Sequence, residues 1–310
     1  MPTISQHYKL KQPFEFLDVD IEDDNRLFLD PHAIRLEKGP SPYGRKARES
    51  MDSFFNEVVG CVRSPSNSAA MRGLDLLQHF NEPKETRLGM SRSGIDGHGA
   101  AEELGGRIWN ALSTDARALV EVGVLKLVEH IPLFVDEIDK DITSDITTRI
   151  VFEPLARFTQ AMVKKYPEFT QGAHKMGVFR KQVWHVGRAD WVMKDLQLPV
   201  PAGKPLLLVP KHWARPSLLM PAGRYYETLV LTFVQEELGT IDSATGKLTG
   251  HPNKETLKRR PNYKRGRPTI VRTTEEAKSV GEDLVDRFRV FVDRKYGRLT
   301  DEELEERLRR

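Results

Sequence analysis

Apolar residues recur at helical spacing across residues 44–62, and this run constrains the fold more than any other part of the sequence. The recurring positions are Met51, Phe54, Phe55, Val58, Val59 and Val62. Residues three and four apart share one face of a helix, so the run predicts a long helix with one buried face. The single cysteine, Cys61, lies in the same run, and we expect it to be buried by packing. A lone cysteine also excludes an internal disulfide or a multi-cysteine zinc site.

The same spacing predicts further helices along the chain. The predicted ranges are 68–80, 100–112, 115–130, 144–166 and 224–238, with Pro154 kinking or splitting the fourth. Residues 133–135 fit either a short strand or a helix that restarts after Pro132. Alternating apolar residues predict strands at 14–20 and 26–30, and a second β region over 176–209 in which 196–200 and 205–209 form a hairpin. The expected fold class is therefore α+β, with a helical central region flanked by two small β regions.

A change of composition after Gly239 predicts the domain organisation. Residues 1–239 read as an α+β globular core, and 240–272 read as a basic loop or linker containing Gly and Pro. Residues 273–310 read as a C-terminal helical segment. A capping box at Thr273 is expected to start its first helix, whose apolar stripe runs over 275–296, and Thr300 is expected to cap its last.

The segment 254–273 concentrates positive charge. Eight Lys or Arg and one acid, Glu255, give it a net charge of +7, against +3 for the whole chain. Such a segment suggests a polyanionic partner. At its centre, the sequence Arg-Gly-Arg-Pro of residues 265–268 resembles the AT-hook, which implies an extended backbone in an A·T minor groove with arginines pointing along it. The predicted DNA-binding residues are Arg259, Arg260, Lys264, Arg265 and Arg267. A solvated basic loop, or an RNA or acidic protein partner, are the alternatives.

The densest acidic cluster, residues 136–145, suggests a metal site. Carboxylates of Asp136, Asp141 and Asp145 in a loop that opens onto a helix can converge on a hard cation such as Mg²⁺. We predict these three aspartates as metal ligands and catalytic residues for a phosphodiester reaction. The alternative is that they are solvated acids that cap the helix and complement its dipole.

A glycine-rich loop before the 100–112 helix suggests phosphate binding. Glycines let a backbone approach a phosphate, and helix N-terminal amides attract anions. The predicted phosphate-binding residues are Arg92, Gly94, Gly97 and Gly99. The loop lacks the Lys-Ser/Thr ending of a P-loop and the Rossmann spacing, so a plain surface loop is the alternative.

Two segments carry a wider resemblance. Residues 142–148 with the preceding acidic loop, and residues 203–211, resemble uncharacterised bacterial proteins met near mobile-element and phage-defence (antiviral defence) genes. The resemblance covers roughly a third of the chain and has no assigned activity. It implies a prokaryotic setting and favours a nucleic-acid role.

These observations support two main hypotheses, and a third, binding of a small molecule through the glycine loop, stays open. The first is a DNA-associated bacterial protein, and possession of a magnesium-dependent nuclease activity stays open within it. The second is a non-enzymatic binding or assembly subunit, as a homo-oligomer or on a partner protein, docked through the 275–296 helix. The chain shows no apolar signal core and no run long enough for a membrane helix, so we expect a cytoplasmic location.

Overall fold

The structure is a computed structural model. It describes residues 2–11, 13–37, 42–90, 98–241, 243–246 and 248–308. The architecture is α+β, as predicted: a helical body carries small antiparallel sheets. None of the described helices combines the length and the apolar character needed to cross a membrane.

The helices and strands follow in chain order. Helices of the first half are α1 (Ile4–Tyr8), α2 (Pro31–Arg35), α3 (Pro42–Arg63), α4 (Asn67–Leu77), α5 (His98–Ser113), α6 (Arg117–Glu121), α7 (Ile131–Phe134), α8 (Lys140–Ile150) and α9 (Phe152–Lys165). Helices of the second half are α10 (Ala222–Tyr225), α11 (Leu231–Leu238), α12 (Lys254–Arg259), α13 (Arg267–Ser279), α14 (Leu284–Lys295) and α15 (Asp301–Leu308). The strands are β1 (Phe28–Leu29), β2 (Met176–His185), β3 (Asp190–Pro199), β4 (Ala214–Arg215), β5 (Thr240–Ile241) and β6 (Leu248–Thr249).

Helix α3 is central to the core, as its apolar spacing predicts. Its Phe54 is fully buried, and the Phe54 ring meets the Trp184 ring edge-on at 5.0 Å. Trp184 pairs with Trp191 across the hairpin formed by β2 and β3. Aromatic pairs of this geometry add stability beyond their buried area, so this cluster fixes the hairpin on the helical body.

A second contact joins distant parts of the chain. Strand β1 pairs antiparallel with β4, so the N-terminal β region lies against the end of the second one. Asp30 follows β1, and one of its oxygens caps α2 by accepting from the His32 N–H at 2.8 Å. The other oxygen accepts from the Leu219 N–H at 2.6 Å. One buried carboxylate therefore fixes both the start of α2 and the loop after β4.

Helices α4 and α5 approach closely where α5 carries glycine. A methyl group on Gly105 would lie 2.6 Å from the Leu77 carbonyl oxygen, whereas one on Gly106 would meet nothing within 4 Å. We expect Gly105→Ala to lower the free energy of unfolding by about 1–3 kcal/mol through overpacking. The neighbouring Gly106→Ala is the matched control and should raise it by up to about 1 kcal/mol, because alanine favours the helix. Urea unfolding of both variants measures the difference, and two changes of the same sign would contradict this close approach.

The predicted helices over 44–62, 68–80 and 100–112 are confirmed as α3, α4 and α5. The prediction over 115–130 is wrong, because only α6 and a 3-10 turn, Val128–His130, are helical there. Residues 133–135 follow the helical alternative, since α7 ends at Phe134. The 144–166 range splits into α8 and α9 at Val151, and the capping residue of α8 is Asp139 rather than Ser144.

The β predictions are only partly confirmed. Residues 14–20 and 205–209 form no regular strand. Isolated backbone hydrogen bonds still link them, such as the one that the Leu17 N–H donates to the Val209 carbonyl at 2.9 Å. Strand β3 pairs instead with β2 over ten residues each. Strand β3 pairs with the strand that precedes it, because the chain folds back at residues 186–189.

The C-terminal predictions need two corrections. The predicted linker 240–272 contains β5, β6 and α12, and α13 begins inside it at Arg267 rather than at Thr273. Pro268 suits this start, since proline is tolerated in the first turn of a helix. The predicted 275–296 helix is interrupted after Ser279, where Gly281 adopts a left-handed φ of 89°. The last helix is capped as predicted, with the Glu303 N–H donating to Thr300 Oγ1 at 3.2 Å.

Candidate nucleic-acid interface

Four cations stand out on the surface between α12 and α13. Arg259 and Arg260 end α12, and Lys264 and Arg265 follow one 3-10 turn later. All four are exposed, and none forms an ion pair within the described part of the chain. We call Arg259, Arg260, Lys264 and Arg265 the basic turn. Its charge is not neutralised by the protein, so it remains available to an anionic partner.

The other four cations of the segment are engaged by the protein itself. Lys254 donates to the Glu227 carbonyl at 2.6 Å, and Lys258 pairs with the Glu227 carboxylate at 2.8 Å. Arg272 lies 3.5 Å from Glu276. These contacts anchor α12 and α13 and leave the basic turn between them.

Arg267 is the fourth engaged cation, and its position departs from the AT-hook prediction. Its Nε donates to the Val135 carbonyl at 3.0 Å and lies 3.5 Å from Asp136 Oδ1. The backbone is extended at Gly266, with φ 172° and ψ 161°, but Arg267 already starts α13. Arg265, by contrast, is exposed, with its guanidinium over Gly223. The two arginines therefore do not point together along one groove.

The three predicted aspartate ligands are not brought together. Asp136 is exposed and faces Arg267, whereas Asp141 and Asp145 are buried one turn apart on α8. Asp141 Oδ1 accepts the Met90 N–H at 3.2 Å. Across the residues that the structure describes, no group of three or more His, Cys, Asp or Glu side chains could hold a metal ion. Mg²⁺ therefore stays a prediction without an assembled ligand set.

Asp145 nevertheless has unusual chemistry. Burial, together with the negative charges of Asp141 and Glu82, raises the pKa of Asp145 to about 8. Its carboxyl group therefore holds a proton at neutral pH. A protonated carboxyl among ionised ones can donate a hydrogen bond or a proton, which is a property of many functional sites.

The glycine loop falls largely outside the described residues. Arg92, Gly94 and Gly97 lie there, so their predicted phosphate contacts have no structural counterpart. Gly99 is exposed in the first turn of α5. The phosphate-binding interpretation of this loop stays a prediction.

A buried ionic network surrounds Glu129, and the sequence did not predict it. Glu129 and His32 are each about 2% exposed, and the Glu129 carboxylate pairs with Arg35. His32 Nε2 in turn lies 2.7 Å from Asp293 Oδ1 on α14. The carboxylates of Glu129 and Asp293 raise the pKa of His32 despite its burial. His32 and Arg35 in turn lower the pKa of Glu129 far below its usual range. No spacing rule could have found this network, because its members come from three distant parts of the chain.

The predicted docking stripe is used inside the molecule. Leu284, Phe288 and Val292 of α14 are buried, and Phe288 lies 5.2 Å from the Tyr225 ring. Val280, next to the break before α14, is 62% exposed. The stripe therefore packs on the chain's own core, which explains its pattern without a partner.

Comparison with known proteins gives one match. A family described as a domain of unknown function, DUF8370, matches residues 7–220. No curated protein and no solved structure matches the chain. The matched range holds helices α2 to α9, the hairpin of β2 and β3, and the Glu129 carboxylate, while α10 to α15 and the basic turn lie beyond it. Since the match spans more than half of the sequence, the chain belongs to the DUF8370 family.

Proposed function

We propose that this protein binds nucleic acid, DNA in the first instance, through the basic turn. The observation that carries the proposal is that four exposed cations lie within seven residues, at 259, 260, 264 and 265, and have no ion-pair partner in the described structure. Four of the eight cations in this segment are instead used to hold the helices on either side. The basic turn is thus a fixed surface feature rather than a loose tail.

The geometry favours recognition of phosphates over reading of bases. Minor-groove reading by an AT-hook needs both arginines of the motif, and Arg267 is committed to Val135 and Asp136. Contacts to phosphate from Arg and Lys position a protein but carry no direct sequence information. We therefore expect little preference between A·T-rich and G·C-rich duplexes, contrary to the AT-hook interpretation.

The test is duplex binding across a salt series. With four phosphate contacts, the affinity should fall roughly 100-fold between 50 and 200 mM salt, because each contact releases a condensed counterion. The variant with Arg259, Arg260, Lys264 and Arg265 changed to alanine should bind weakly and lose most of this salt dependence. Fluorescence anisotropy with A·T-rich and G·C-rich duplexes measures both effects.

A charge-matched control separates the basic turn from net charge. Lys175, Arg180, Arg188 and Lys204 are exposed and form no ion pair with described residues. Changing these four to alanine removes the same charge elsewhere, and DNA affinity should change little. Equal losses in the two variants, or no binding by the wild type at low salt, would refute the proposal.

The proposal is confined to binding. Hydrolysis would need the predicted carboxylates to act together, and Asp136 is drawn to Arg267, away from Asp141 and Asp145. Incubating the bound duplex with Mg²⁺ in the same experiment and checking for breaks tests the nuclease hypothesis separately.

A further inference from the structure

An aromatic cavity, distinct from the basic turn, is lined by residues of the family-matched stretch together with Asp301. It has a volume of about 500 Å³, in the range of small-molecule sites. Aromatic rings from four separate segments line it: Phe14, Tyr43, Phe158 and Trp213. The Tyr43 and Phe158 rings meet edge-on at 5.5 Å. Flat aromatic walls of this kind favour a flat, apolar ligand.

The charged groups around this aromatic cavity already have partners. Glu15 accepts the Tyr166 hydroxyl at 3.0 Å and pairs with Lys165. Glu37 lies 3.6 Å from Arg298, and Lys211 lies 2.8 Å from Asp301. A charged ligand would have to displace one of these pairs, so the cavity favours a neutral one.

His212 is the lining residue that can offer a neutral hydrogen-bonding group. Its Nδ1 atom is enclosed by the protein without a hydrogen bond, while the residue as a whole is half-buried, so Nε2 is the ring nitrogen open to a ligand. Burial lowers the pKa of His212, so the imidazole is neutral at neutral pH. A neutral imidazole offers one hydrogen-bond donor and one acceptor. Through Nε2, which is not enclosed, His212 can donate or accept one hydrogen bond at the polar edge of a ring between the aromatic walls.

We propose that the aromatic cavity binds a small, neutral, planar heteroaromatic compound, with its ring between the aromatic walls and its polar edge on His212. This site is independent of the basic turn, because the two have no residue in common. The class follows from three features together: flat apolar walls, charges that are already paired, and one neutral hydrogen-bonding group.

The test uses benzimidazole and adenine, which are planar and neutral at pH 7.5, beside cyclohexanol as an apolar but non-planar comparator. Isothermal titration with the full chain should give a Kd below about 1 mM for at least one planar probe. Cyclohexanol should bind at least tenfold more weakly. Failure of both planar probes to bind below about 1 mM, or equal binding of cyclohexanol, would overturn the proposal.

Two variants place the binding in this cavity. Met162 lines it from α9, and Met162→Phe should fill part of the space and weaken binding of the planar probe at least tenfold. His212→Ala removes the polar partner and should weaken it up to about tenfold, while His212→Gln restores a donor and acceptor and should recover part of the loss. Thermal unfolding checks that each variant folds. If Met162→Phe does not fold, the histidine pair decides: unchanged affinity in His212→Ala would overturn the proposal.

Discussion

Replacing Glu129 with glutamine is expected to lower the free energy of unfolding by about 3–5 kcal/mol, the usual effect of breaking a buried ion pair from one side. Glu129 is about 2% exposed and faces Arg35 and His32. When Glu129 loses its negative charge, the Arg35 guanidinium loses its closest counter-charge. His32 then keeps only Asp293 and Asp30 as acidic neighbours. Chemical denaturation at pH 7 measures the change.

The other carboxylate on Arg35 provides the control. Asp52 Oδ1 lies 2.8 Å from Arg35, but its side chain is 42% exposed. Asp52→Asn should therefore cost less than about 1 kcal/mol, as partly solvated ion pairs do. A similar loss in both variants would show that burial of Glu129 does not govern its contribution.

The contribution of Glu129 to stability also depends on pH. Because the pKa of Glu129 is lowered on folding, its contribution is complete above its ordinary pKa of 4.5 and is lost as the pH falls below it.

Replacing Asp145 with asparagine is expected to have the opposite sign and to stabilise the protein at pH 8. The pKa of Asp145 rises on folding from 3.8 to about 8. For an acid shifted upward, the folded state is favoured most below pH 3.8 and loses stability as the pH rises toward 8. At about 1.4 kcal/mol per pH unit, we expect the advantage of the variant over the wild type to grow by about 4 kcal/mol between pH 5 and pH 8. Urea unfolding at pH 5, 6.5 and 8 measures the growing difference.

The difference between the two curves is the informative quantity, because other groups titrate in both proteins. Asp136→Asn is the matched control, because it removes a carboxyl group that is 69% exposed and lies outside the buried pair of Asp141 and Asp145. A constant difference for Asp145→Asn would mean that its carboxyl group titrates normally. If Asp141 and Asp145 do hold Mg²⁺, as the sequence predicts, excess Mg²⁺ should remove the pH-dependent gain, since a bound cation favours both ionised carboxylates.

Local patterns predicted much of the fold. The apolar spacing of α3 and the capping pair of Thr300 and Glu303 act over a few residues, so the sequence indicates them directly. Pairing of strands was harder to predict, because β1 pairs with β4, which lies far from it in the sequence. The start of α13 was misplaced for a physical reason: Arg267 is held at its first turn by the Val135 carbonyl, a tertiary contact that overrides the weaker signal of a basic, glycine-containing segment.

The candidate sites divide in the same way. The basic segment 254–273 was predicted because charge density is visible in the sequence, but which of its cations stay unpaired depends on neighbours such as Glu227. The raised pKa of Asp145 and the network at Glu129 both arise from burial among distant residues. His212 likewise gains its role only when Phe14, Tyr43 and Phe158 are folded around it.

The contact between His32 and Asp293 has a consequence for how this chain can change. His32 lies inside the family-matched stretch, and Asp293 lies beyond it, yet they are 2.7 Å apart. Arg267 reaches back to Val135 in the same manner. The border of the family match is therefore not a physical border. Exchange of either stretch for that of a diverged relative would leave these contacts without one of their partners, so we expect each stretch to need the other to fold stably.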